Sequence, residues 1–87
     1  MSGKCKYIMF NWPGSSEVPI LFPSHIDHSD IYNAMKRSYP GCTPISAGFV
    51  SQFAGEFNCY GESVSCKLKS LKTDSAIVTS LLKDGRG

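Results

Sequence analysis

Apolar residues between Cys5 and Trp12 fall on both parities of an extended chain: Tyr7 and Met9 on one, Ile8, Phe10 and Trp12 on the other. Aromatic and β-branched residues in that spacing predict a strand. Trp12-Pro13-Gly14-Ser15-Ser16 predicts a turn, because proline fixes φ and glycine accepts positive φ. Glu17 to Phe22 predicts a second strand that pairs with the first as a hairpin. Pro19 favours an edge place for it, since proline gives no ladder donor, and Pro23 ends it. A helix should follow. Asp27 is its expected N-cap, accepting from the amides of Ser29 or Asp30, and Ile26 and Ile31 are spaced as a hydrophobic staple. Ile31, Ala34, Met35 and Ser38 share one helix face, Lys36 and Arg37 sit near the negative end, and Pro40-Gly41 stops the helix.

The second half repeats the layout without repeating the residues. Thr43 to Phe53 predicts a third strand, with Ile45, Ala47, Phe49 and Phe53 on one parity and Ser46, Gly48, Val50 and Gln52 on the other. Ala54-Gly55 marks a tight turn, and Glu56 to Leu68 predicts a long fourth strand. Its apolar parity switches from Phe57 and Cys59 to Val64, Cys66 and Leu68, which predicts a bulge or bend near Gly61. From Thr73 to Lys83 a second helix is expected, with Ile77, Val78, Leu81 and Leu82 as its apolar stripe and Gly85 just beyond its end. The order ββαββα predicts the α+β class, an antiparallel four-stranded sheet with two helices on one face. The other sheet face would then present Ser46, Gly48 and Gln52 to water or to a second copy.

At 87 residues the chain allows a single domain, 1–87. No run of 18 apolar residues is present, so no membrane partner is expected. The start, MSGKCKYIMF, lacks a signal-type apolar core, which predicts a cytoplasmic protein. In that compartment Cys5, Cys42, Cys59 and Cys66 are expected as free thiols, and no Cys-x-x-Cys pair indicates a zinc or redox motif. The net charge of +2, carried by scattered Lys and Arg, is too thin for long nucleic acid and fits a compact ligand better.

Three stretches carry candidate chemistry. His25-Ile26-Asp27-His28-Ser29-Asp30 is the densest titratable cluster, but no third ligand follows at a metal spacing, so capping is its simpler role. Tyr60 through Ser70 interleaves hydroxyls, an aromatic ring and two lysines, a set that can hold phosphate and stack a base; a strand edge blunted by lysine is the plainer alternative. Trp12, Phe22 and Tyr39, each before a proline, either close the core or line a pocket. No nucleophile elbow, P-loop or dinucleotide fingerprint is present, so neither an enzyme nor a cofactor or metal site is expected.

The strings Ile20-Leu21-Phe22-Pro23, His25 through Asp30, Pro44-Ile45-Ser46-Ala47-Gly48-Phe49-Val50 and Cys59-Tyr60-Gly61-Glu62-Ser63-Val64-Ser65 resemble small accessory proteins encoded by phages and prophages. The likeness runs from Lys6 to Leu82. It implies a cytoplasmic, non-enzymatic protein that counters host immunity by docking on a defence protein or by trapping a nucleotide signal. Combined with the residues, it predicts a homo-oligomer that sequesters a small nucleotide-like ligand. The expected contacts are His25, His28, Ser46, Tyr60, Ser63, Ser65, Lys67 and Lys69, with His28 and the lysines on phosphate and Tyr60 stacking. The alternatives are a protein-docking inhibitor of a host defence complex and a metal-dependent nuclease or phosphodiesterase using the His-Asp segment.

Overall fold

In a computed structural model, which describes residues 5–14, 17–53 and 56–85, four strands form one antiparallel sheet. They are β1 (Cys5–Asn11), β2 (Glu17–Pro23), β3 (Thr43–Phe53) and β4 (Glu56–Tyr60), in the spatial order β2-β1-β3-β4. A second, two-stranded sheet pairs β5 (Glu62–Ser63) with β6 (Leu68–Lys69). The helices are α1 (His28–Ser38) and α2 (Asp74–Gly85). The α+β class and the four-stranded antiparallel sheet are therefore as the sequence predicts, and the ββαββα order holds apart from the β5–β6 hairpin inserted before α2. The expected turn residues Ser15, Ser16, Ala54 and Gly55 lie outside the described residues, as does the side chain of Leu82. The second helix continues through Gly85.

The helices do not share a face. Ile8, Phe10, Phe22, Cys42 and Ala47 form one buried cluster, packed by Ile31, Tyr32 and Met35 of α1. Tyr7, Met9, Val50 and Val78 form the other, with Val78 contributed by α2. Neighbouring residues of a strand point to opposite faces, so α1 and α2 cover opposite sides of the sheet. The physical cause lies in β1. Tyr7, Ile8, Met9 and Phe10 are all fully buried, and a central strand that is apolar on both parities needs cover on both sides. One consequence is decisive for function: the face bearing Ser46 and Gly48 is no spare polar surface but lies beneath α2.

The fourth strand is also shorter than predicted. Gly61 takes φ +77 and ends the ladder after Tyr60. Of the expected bulge or bend at the parity switch, the structure shows the bend. A Cβ at Gly48 would lie 2.4 Å from the Tyr60 carbonyl oxygen, so the bend leaves room there for glycine alone. Beyond the bend the β5–β6 hairpin folds back, closed by Ser70 N–H donating to the Gly61 carbonyl (3.0 Å), and sends Leu68 into the α1-side cluster.

Both outer edges of the sheet are blocked, by different means. On β4, the amide of Cys59 donates to Ser75 Oγ (2.8 Å) and that of Phe57 to Thr79 Oγ1 (3.0 Å), which returns a bond to the Phe57 carbonyl (3.2 Å). Four residues of helix rise about 6 Å, and two residues of strand advance about 6.8 Å. Hydroxyls four apart on α2 therefore match amides two apart on β4. On β2, Pro19 and Pro23 share the parity of Glu17 and Leu21. Proline is tolerated there only with its nitrogen turned away from the partner strand, so two of the outward positions present no donor.

Candidate functional site

Helix α1 begins after Asp27, as expected, but the Asp27 side chain makes no cap hydrogen bond. Its carboxylate turns to the Lys6 ammonium (3.8 Å), which donates to the Ile26 carbonyl (2.9 Å), and Asp30 N–H donates to the Asp27 backbone carbonyl (3.1 Å) instead. The apolar face of α1 rests on the sheet. Beside that face Ser29, Tyr32, Asn33 and Lys36 follow at helical spacings of three, four and seven residues, so they line up along one side, with Tyr32 shared between this flank and the apolar face.

That flank faces the turn joining β5 to β6. The turn spans Val64 to Lys67, with Lys67 N–H donating to the Val64 carbonyl (3.2 Å) and Cys66 N–H to Ser63 Oγ (3.3 Å). Ser63 is buried and Ser65 Oγ lies 3.5 Å from its hydroxyl, so the serine holds the turn in shape. Lys67 adopts φ +58, an uncommon conformation for a residue with a Cβ, and is exposed.

Between α1 and this turn lie two adjoining cavities. One, of about 310 Å³, is lined by Ser29, Tyr32, Asn33, Ser65, Cys66 and Lys67. The other, of about 380 Å³, is lined by Tyr32, Lys36, Pro40, Cys42, Thr43, Pro44, Cys66 and Leu68. They meet at Tyr32 and Cys66, so together they form one groove. The Lys36 ammonium sits 5.4 Å from the Tyr32 ring centroid. The charged side chains lining the groove among the described residues are two lysines, set among hydroxyls, an amide and a phenol ring; that combination attracts an anion bearing an aromatic group. A larger concavity of about 450 Å³ between α2 and the end of the β1–β2 hairpin has Glu17 as its charged residue among those described, with Ile77, Leu81 and Ala76 beside it. Its charge has the wrong sign for a phosphate.

Of the eight residues singled out in the sequence, Ser65 and Lys67 line the groove and Ser63 supports its turn. The others are elsewhere or occupied. His28 is buried; its Nε2–H donates to the Gly48 carbonyl (2.9 Å), and its ring meets Phe22 and Phe49 edge-on. It pins the start of α1 to β3 and is out of a phosphate's reach. Ser46 is 0% exposed, with no hydrogen-bond partner for its hydroxyl among the described residues. Tyr60 stacks on Phe49, 5.9 Å between centroids, rather than on a free base. Lys69 is exposed and pairs across the hairpin with Glu62, and His25 is exposed in the turn before α1. Among the described residues no group of three His, Cys, Asp or Glu side chains could hold a metal ion, so the His-Asp segment supplies no metal centre there. Ser29, Tyr32, Asn33 and Lys36 were missed. Their common flank is a polar stripe at helical spacing in the sequence, but what it faces is set by the fold-back of the β5–β6 hairpin.

The α2 side carries the buried titratable groups. Tyr7 Oη donates to Asp74 Oδ2 (2.5 Å), which also accepts from Leu71 N–H (2.9 Å). Burial, then the hydrogen bond and negative charge of Asp74, hold the Tyr7 phenol far above its ordinary titration range. Burial, with the Asp74 charge second, pushes the Cys59 thiol up to about 11. The network is enclosed by α2 and ties that helix to the sheet. All four cysteines are free thiols. Cys5 and Cys59 flank Val50 on one rung, two strand spacings or about 10 Å apart, and a disulfide needs about 7 Å or less between Cα atoms. No helix among the described residues is long and apolar enough to cross a membrane.

No family model, curated protein or solved structure matches the chain.

Proposed function

We propose that the protein is a small binding protein that captures a nucleotide-like anion in the groove between α1 and the 64–67 turn, and acts by holding it. The observation that carries this reading is the convergence of Lys36 and Lys67 on a groove walled by Tyr32, Ser29, Asn33 and Ser65. Ammonium groups and hydroxyls supply charge-assisted hydrogen bonds to phosphate, and the phenol ring supplies a surface for a base. Sequestration is the action this lining itself supplies: ammonium, hydroxyl and amide groups hold an anion in place. In the phage setting that the sequence likeness implies, capture would withdraw a signalling nucleotide from host defence. The groove belongs to one subunit, so capture does not depend on the homo-oligomer expected from the sequence.

Titration calorimetry of the full chain against cyclic and linear nucleotides tests the reading. Binding that weakens with added salt, and falls about tenfold or more in Lys67→Glu, is expected. Absence of heat with every nucleotide at saturating concentration overturns it.

A further inference from the structure

The groove is divided, and its division indicates the size of its ligand. Each cavity, at about 310 and about 380 Å³, stands near the lower limit of small-molecule sites, which run from about 300 to 1,000 Å³. Each has one lysine, Lys67 in the first and Lys36 in the second, and Tyr32 stands where they meet. Along α1, Ser29 of the first cavity and Lys36 of the second are seven residues apart, about 10 Å of helix rise. The lobes also differ in chemistry. The Lys67 lobe is walled by Ser29, Asn33 and Ser65, partners for phosphate and sugar oxygens. The Lys36 lobe offers Pro40, Pro44 and Leu68 with Thr43, surfaces for the flat faces of a base.

A ligand with one phosphate satisfies one ammonium and leaves the other in water, where it contributes little. A ligand with two separated anionic groups engages both. Resting on the reading above, we infer that the groove takes a dinucleotide, with a phosphate beside each lysine, one base against Pro40, Pro44 and Leu68, and Tyr32 between the two anionic positions.

Calorimetry with adenosine monophosphate, the linear dinucleotide pApA and a 3′,5′-linked cyclic diadenylate separates this inference from the reading beneath it. At least one dinucleotide should bind about tenfold or more tightly than the monophosphate. Lys36→Glu should weaken the dinucleotides about tenfold more than the monophosphate and so remove that preference, whereas Lys67→Glu should weaken all three by similar factors. Both positions are exposed, and an unchanged circular dichroism spectrum confirms the fold of each variant. Equal affinity for the monophosphate and both dinucleotides overturns the dinucleotide inference and leaves nucleotide capture standing. A dinucleotide preference that survives Lys36→Glu also overturns it. Failure of both dinucleotides to bind overturns the dinucleotide inference, and nucleotide capture falls only if the wider panel fails as well.

Discussion

The two faces of the sheet are held by different forces. On the α2 side, directional hydrogen bonds fix the helix: Tyr7 to Asp74, Leu71 to Asp74, and the hydroxyls of Ser75 and Thr79 to the β4 backbone. On the α1 side, apolar contacts of Ile31, Tyr32 and Met35 dominate, with His28 to Gly48 as the buried polar tie. The concavity beside α2 has Glu17 as its charged residue among those described, while the α1 face has a groove with two lysines beside a turn whose Lys67 sits at positive φ. The difference teaches a division of labour. One helix closes the fold and its β4 edge, and the other shares its outer flank with a candidate site.

The largest break in this arrangement should come from Gly48→Ala. The added methyl would meet the Tyr60 carbonyl oxygen at 2.4 Å, a backbone atom that cannot swing aside. A loss of about 3 kcal/mol is expected, read by urea denaturation. Next is Tyr7→Phe, which leaves Asp74, 1% exposed, with the Leu71 amide as its remaining partner. It should cost about 2 kcal/mol and leave nucleotide affinity unchanged. The same network sets an alkaline limit. Tyr7 and Cys59 both titrate higher in the fold than their ordinary values of 10.0 and 9.0. Their stabilisation is therefore complete below pH 9, falls as pH rises past it, and continues to fall as the Cys59 thiol titrates near 11. A urea midpoint measured at successive pH values should decline across that window, less steeply in Tyr7→Phe.

How much of this was legible in the sequence depended on whether local pattern or long-range packing decided the feature. Pro19 placed β2 at an edge, Gly61 marked a change of course, and the parities of Tyr7–Met9 and Ile8–Phe10 were read correctly. Apolar residues on both parities already required helices on both faces, and with α2 in place the polar hydroxyl of Ser46 became buried. Asp27 was a sound N-cap position, yet its side chain went to Lys6, twenty-one residues away, a competition no local rule includes. Half of the groove was within reach, since Ser65 and Lys67 came from one stretch. The other half lay on α1, and the fold-back of the β5–β6 hairpin onto that helix is a tertiary event that local spacing does not encode.

Two smaller changes sharpen the comparison. Ser75→Ala with Thr79→Ala strips the β4 edge of its hydroxyl partners and should cost about 1–2 kcal/mol. The opened edge should also produce concentration-dependent association, measured by light scattering. Lys67→Gly removes the cost of a Cβ at φ +58 and should raise stability by a few tenths of a kcal/mol, about 0.4 or more. Nucleotide binding should weaken at the same time. Opposite signs for stability and binding are what a strained residue kept for its ligand would give.

The most direct measurement is a nuclear magnetic resonance titration of isotope-labelled protein with the linear dinucleotide pApA. Shift changes should concentrate on Ser29, Tyr32, Asn33, Lys36 and residues 64–67, with Ala76, Ile77 and Ser80 of α2 unmoved. Changes centred on α2, or none at saturating ligand, would contradict the assignment of capture to the α1 flank.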